Sequence, residues 1–248
     1  MKLHIKVPAT SANMGSGFDC AGIALKLYNE LWVEDIESGI EIISRDNKCI
    51  PKDESNLIYS TIRDFYNNEH IEMPGIRIEQ EDNIPMTRGL GSSAACIVGG
   101  LLAANCLSGK NYDIEKLAQV AAAIEGHPDN SNPAIFGSMI ISAMYEEGMQ
   151  YVKVNIPEGL TFAVMIPDFT LSTKKARDVL PDSYTRSQSI FNSSRTGLMV
   201  ASMMTGKFEN LRVAMDDQIH QPYRKSLIRG YDTIFDAARK NGSIAEYL

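Results

Sequence analysis

The sequence predicts a mixed α and β protein, and three observations carry that prediction. Short β-prone runs crowd the amino end, with Leu31-Trp-Val33 the strongest of them. Segments with apolar residues at helical spacing follow, such as Asn56-Leu-Ile-Tyr-Ser-Thr-Ile-Arg-Asp-Phe-Tyr66. The chain has 248 residues, 44% hydrophobic and 22% charged, enough for a real core in one large or two small domains.

Taken in order, Leu3–Val7 alternates as a strand should, and Pro8–Asp19 reads as a long polar loop before a strand at 23–36. A loop of that length ought to have a use. A third strand is expected at 40–44, a helix at 56–66 and a strand at 76–80. Next come a glycine-rich turn, the apolar helix Ala94–Ala104 and a second helix from Asp113, an aspartate cap, to Glu125. Ser138–Ala143 and Gln150–Val154 form a hairpin pattern, and Leu160–Pro167 reads as a further strand. Helices are expected at 187–205 and 223–241. The break at Pro157-Glu-Gly159 suggests two domains, 1–155 and 156–248.

Net charge is −7, and Lys174-Lys175, Arg224-Lys225 and Arg239-Lys240 are isolated basic pairs, so a broad nucleic-acid surface is not expected. Cys20, Cys49, Cys96 and Cys106 lie far apart without zinc spacing and read as reduced thiols. No apolar run is long enough to span a bilayer, and the amino end lacks a signal-peptide pattern; the expectation is a cytoplasmic chain that does not bind membranes.

Chemistry concentrates in Pro85-Met-Thr-Arg-Gly-Leu-Gly-Ser-Ser-Ala-Ala95. Gly89 and Gly91 let main-chain N–H groups approach an anion closely, and the following helix turns its positive end toward it. Ser92 or Ser93 can cap that helix or turn a hydroxyl toward a phosphate-bound Mg²⁺. The segment also matches the loose dinucleotide pattern G-x-G-x-x-A, but a polar stretch closed by Pro85 separates it from the preceding strand. A Walker loop needs Gly-Lys-Ser/Thr, and no lysine lies between Lys52 and Lys110. A ligand-free helix cap is the plain alternative.

Glu125-Gly-His-Pro-Asp-Asn130 places four polar groups at a helix end and turn. Glu125 suits a magnesium ion, Asp129 a base or orienting group, and Asn130 a hydrogen bond to a transferring phosphoryl group. Turn chemistry alone also accounts for Pro-Asp-Asn. Asn13 and Asp19 can meet an amine or hydroxyl of a small substrate, and Arg177 and Arg224 can clamp a carboxylate through paired N–H donors. Surface ion pairing is the competing reading for either arginine.

These segments, in this order, resemble the homoserine kinases of the GHMP small-molecule kinase superfamily. Pro85–Ala95 resembles its phosphate loop, Pro8–Asp19 its first motif and Glu125–Asn130 the homoserine-kinase form of its next segment. Ser172–Arg177, Asn192–Arg195 and Pro222–Arg224 extend the likeness over nearly the whole chain. The resemblance implies an α+β fold with an amino-terminal domain like domain 2 of ribosomal protein S5 and a partial ferredoxin-like second domain. It implies ATP-dependent phosphorylation of the L-homoserine hydroxyl, giving O-phospho-L-homoserine for threonine synthesis. By the same resemblance Asn13, Asp19, His127, Arg177 and Arg224 hold the amino acid, with Asp19 suited to its ammonium and the arginines to its carboxylate. Pro85, Arg88, Gly89, Leu90, Gly91, Ser92, Ser93 and Ala94 bind ATP, with Asn56 near the adenine. Ser93 and Glu125 hold Mg²⁺, Asn130 stabilises the phosphoryl group in flight, and a homodimer is the family habit.

The chain departs from the family pattern in two places. Ser131-Asn132 stands where the family has an apolar pair, and the Gly-rich third motif near the carboxyl end is absent. From the second departure we expect a truncated chain whose activity is weak or absent. The rival readings are a sister kinase for mevalonate, shikimate or a sugar, and a binding module without catalysis.

Overall fold

The computed structural model describes residues 1–248. Its spine is the sixteen-residue strand β2 (Ala21–Ile36), long enough to take partners on both edges. β1 (Lys2–Ala12) runs antiparallel along one edge, from Lys2 opposite Glu34 to Ala12 opposite Gly22. The other edge is shared. Its Asn29–Ile36 half pairs with β4 (Gly75–Asp82), which carries β3 (Ile40–Ser44) in parallel, and its Ala21–Ile23 end pairs with β5 (Met139–Tyr145) of the hairpin closed by β6 (Gly148–Val154).

Alternation along β2 decides which face is covered. Leu31 and Val33 are fully buried, whereas Trp32 stacks on His4 and lies under Arg45 on the opposite face. Against the buried face lie α2 (Ser92–Leu107) and, near the β1–β2 end, α4 (Pro128–Phe136), with α1 (Leu57–Asn68) packed on α2 and α3 (Ile114–Glu125) on α2 and α4. α2 is apolar all round, as a helix enclosed on every side must be. Its glycines set the packing distance: a Cβ on Gly99 would lie 2.3 Å from Leu31 Cδ1, and one on Gly100 would lie 2.9 Å from the Ile58 carbonyl oxygen.

After β6 the chain is helical. α5 (Thr173–Asp178) is one turn and a half, and α6 (Arg186–Thr205) is long and opens with a Thr185–Gln188 capping box. α7 (Leu211–Ala214) and α8 (Gln221–Arg224) are single turns before α9 (Tyr231–Lys240). Met199, Met203, Leu211, Ala214 and Met215 close a second core with Met14, Ala21, Ile23, Met139 and Val154, so this half folds onto the β1–β2 connection.

Several expectations are corrected. β1 continues through Ala12 rather than ending at Val7, because β2 offers it partners past a register shift at Pro8/Ala9, where proline has no ladder N–H to give. The loop therefore shrinks to Asn13–Cys20. Leu160–Pro167 forms no strand: nothing runs beside it to complete a ladder, and Val164, Met165 and Ile166 stay exposed. The helix expected over 223–241 is divided, since Gly230 takes a left-handed conformation (φ 78°) and starts α9 afresh. The turn expected after Glu125 is brief. Gly126 (φ 79°) ends α3, and Pro128 at the first position opens α4 at once.

Candidate active site

Two helix N-termini, the β1–β2 loop and the carboxyl-terminal helices meet at one place. Gly91 precedes α2 in a left-handed conformation (φ 67°), and no side chain caps the helix. The N–H groups of Ser92, Ser93 and Ala94 have no partner, and the first helical bond runs from Ala95 to the Gly91 carbonyl. Three free donors at a helix start fit a phosphate, so the residues present suit a nucleotide. β1 anchors the loop through the Thr10 N–H to the Leu90 carbonyl, at 3.1 Å. Arg88 ties its other end to the extended segment, Nε donating to the Pro167 carbonyl at 2.8 Å. Gly89 is in open space, but a Cβ on Gly91 would lie 2.0 Å from Thr10 Oγ1 and 3.1 Å from Asn130 Oδ1.

That contact brings Asn130 to the loop. Thr10 Oγ1 donates to Asn130 Oδ1 at 2.7 Å, aligning the start of α4 with the start of α2. Ser93 Oγ donates to Glu125 Oε1 at 3.0 Å, which sets two hard oxygen donors side by side and suits a magnesium ion. Burial, partly offset by that hydrogen bond, raises the Glu125 pKa. His127 Nδ1 meets the buried carboxylate of Asp129 at 2.5 Å, and this bond, ahead of the opposing cost of burial, raises the histidine pKa. Asp19 completes the cluster, with ligand atoms of Asp19, His127 and Asp129 all within 4.8 Å.

The β1–β2 loop is strained on purpose. Asn13, Met14, Gly15 and Asp19 all have positive φ, and Asn13 Oδ1 accepts the Asp19 N–H at 3.1 Å. Arg177, in the last turn of α5, grips Asp19 with both guanidinium nitrogens, at 2.6 and 3.0 Å. Arg224 is 8% exposed and has no carboxylate partner: Nε donates to the Ala176 carbonyl at 2.9 Å and Nη1 to His220 Nδ1 at 3.4 Å. Burial first, then the Arg177 charge, lowers its pKa. Both guanidinium carbons lie over the Phe18 ring, 5.6 Å away for Arg177 and 5.0 Å for Arg224.

The structure thus gathers Asn13, Asp19, Ser92, Ser93, Glu125, His127, Asn130, Arg177 and Arg224 around one centre. Asn56 is the N-cap of α1: its Oδ1 accepts from Ile58 and Tyr59 and its Nδ2 donates to the Pro51 carbonyl. Ser131 and Asn132 are fully buried behind the site, with Asn132 Nδ2 donating to Ser142 Oγ. Sequence reasoning passed over Thr10, Phe18 and His220. The first two lie inside a motif already singled out; His220 stands four residues before Arg224, one helical turn away.

Comparison with known proteins identifies the relatives of this chain. The family described as GHMP kinases N terminal domain matches residues 56–138, from the cap of α1 to the start of β5. Homoserine kinase of Clostridium novyi is 47% identical over 248 residues, covering 99% of this chain and 83% of that protein. Homoserine kinase of Caldicellulosiruptor saccharolyticus is 45% identical, covering 99% and 80%. The crystal structure of homoserine kinase from Cytophaga hutchinsonii superposes with a TM-score of 0.84 at 29% identity, over 98% of this chain and 80% of that one. Mevalonate pyrophosphate decarboxylase of Streptococcus pyogenes shares the fold alone, with a TM-score of 0.67 at 16% identity. The α+β architecture described above is therefore that of the GHMP kinases, and the chain belongs to the homoserine kinase family.

Proposed function

We propose that this chain transfers the terminal phosphoryl group of ATP to the side-chain hydroxyl of L-homoserine, the reaction that commits this amino acid to threonine synthesis. One observation carries the substrate choice: a buried arginine without a carboxylate, Arg224, beside an arginine–aspartate pair, Asp19–Arg177. An unpaired buried cation is costly unless an anion arrives. An α-amino acid fits both halves, because its ammonium replaces Arg177 as the partner of Asp19 while its carboxylate takes up the released Arg177 together with Arg224. A sugar offers neither group, and mevalonate offers only the carboxylate.

The free N–H groups of Ser92, Ser93 and Ala94 bind the nucleotide phosphates, and Arg88 holds the loop in place. Ser93 and Glu125 are the residues suited to hold Mg²⁺, which when bound neutralises charge on the phosphates. Asn130, its Oδ1 fixed by Thr10 and its Nδ2 3.5 Å from Asp129 Oδ1, is the residue whose amide donates to the phosphoryl oxygens in flight. No strong base is required in a loose transition state, so positioning of hydroxyl and phosphate supplies most of the acceleration. We assign 1–155, which contains the whole sheet, to nucleotide binding, and 156–248 to closing the site with Arg177 and Arg224.

ADP release with MgATP tests the reading. Release that depends on L-homoserine, and not on L-serine, mevalonate, shikimate or galactose, is expected; turnover of one of those in preference to homoserine, or of none at all, overturns it.

A further inference from the structure

His220 lies at the centre of the second half of the site, fully buried, with every polar contact of its ring defined. Nε2 is 2.7 Å from the Gly15 carbonyl oxygen. A carbonyl only accepts, so Nε2 carries the proton. Nδ1 faces Nη1 of Arg224 at 3.4 Å, and a guanidinium only donates, so Nδ1 is the acceptor. The two contacts together select one neutral tautomer. Burial, the largest influence, lowers the pKa and holds the ring in that form; Asp217, 3.7 Å from Nε2, opposes it. The Asp217 carboxylate is already committed, accepting the N–H groups of Ile219, His220 and Gln221 and so fixing the ring at the start of α8.

The ring also stacks on Phe18, with centroids 5.1 Å apart. Phe18 therefore touches His220 on one part of its surface and carries both arginines on the rest.

We propose that His220 is a positioning residue for substrate recognition: as the Nε2–H tautomer it holds the Arg224 guanidinium over Phe18 and leaves its remaining N–H donors aimed at the substrate carboxylate. The inference rests on the reading above, in which Arg224 binds that carboxylate. It separates two roles of one ring, an anchor to the β1–β2 loop through Nε2 and a guide for Arg224 through Nδ1.

Two substitutions separate those roles, since glutamine reproduces the Nε2 donor and asparagine places an acceptor near Nδ1. Calorimetric titration of the intact chain with L-homoserine is expected to show affinity lowered about tenfold or more in His220→Gln. His220→Asn is expected to weaken binding less than His220→Gln, because it keeps the acceptor that guides Arg224 while losing the Nε2 anchor. MgATP affinity is expected to be unchanged in both. Equal weakening by the two substitutions, or a glutamine variant as tight as the parent, overturns the proposal and leaves His220 as a loop anchor. A parent chain that binds MgATP but not homoserine overturns the proposed function, and this inference falls with it. Should either variant fail to fold, nitrogen NMR of the unsubstituted protein decides: the Nε2–H tautomer at neutral pH, with an Nδ1 shift on adding homoserine, supports the assignment, and the other tautomer or an imidazolium refutes it.

Discussion

Gly89 and Gly91 share a left-handed backbone but not a setting. A methyl group on Gly89 meets nothing within 4 Å, whereas on Gly91 it collides with Thr10 Oγ1, the hydroxyl that fixes Asn130. Gly91→Ala is expected to lose most phosphoryl transfer and about 2–4 kcal/mol of stability; Gly89→Ala should cost about 1 kcal/mol from backbone strain alone and keep measurable activity. Denaturant melts with ADP-release rates on both variants check this, and equal losses would contradict it. The glycine loop was legible in the sequence because its function is local, a short run whose own backbone makes the anion site. Asp19, Arg177 and Arg224 were legible as chemical types, a carboxylate for an amine and guanidiniums for a carboxylate, and His127 as one of four polar groups at a helix end, but only the resemblance set them around one amino acid. Nothing in the spacing of residues 19 and 177 says that they touch, and the paired state of Asp19 with Arg177 was not foreseen. The role of His220 was invisible, because a lone histidine declares its tautomer only once Gly15 and Arg224 flank it.

At the level of elements, capping residues were a mixed guide, since neither Ser92 nor Ser93 caps α2. Asp113 caps α3 as its position suggests, and Asn56 caps α1 with both halves of its amide engaged. Asn56→Ala is therefore expected to lower stability by about 1–2 kcal/mol, a few degrees in melting temperature for a chain of this size. Differential scanning calorimetry measures it, and an unchanged midpoint would show the cap to be dispensable. Strands were read well where a neighbour exists and badly where none does. Leu160–Pro167 has the composition of a strand, yet β structure is a property of pairs, and this run has no partner in hydrogen-bonding distance. The division at Gly230 was missed for the opposite reason: one glycine in a helical pattern can be absorbed or can break it, and the left-handed turn won.

For the whole molecule, the buried neutral His220 links stability to pH. In the unfolded chain a histidine takes up its proton near pH 6.5, whereas in the fold burial lowers that value. Below about pH 6.5 the unfolded state binds the extra proton, so stability falls as the pH drops toward the lowered folded value; above it the group contributes no slope. His127 acts in the other window, stabilising at low pH and losing that contribution as pH rises through its raised folded value. Urea midpoints between pH 7.5 and 5.5 should therefore fall more steeply for the parent than for His220→Gln, in which the buried titrating group is gone while His127 is common to both. Parallel profiles would exclude His220 as the source.

The hydrogen bonds that join the two halves of the site also set an order in time. Ser16 donates to the Ala214 carbonyl across 198 residues, and His220 reaches Gly15 across 205. The sheet and its covering helices draw mostly on nearer neighbours, such as β1 with β2 and α1 with α2. Contacts of such long sequence separation close the largest loops and come late in folding. The phosphate loop can thus be complete on a growing chain well before the amino-acid pocket exists. Asn13–Cys20 is made almost first and acquires its working shape almost last, when the helices near the carboxyl end fold back to meet it.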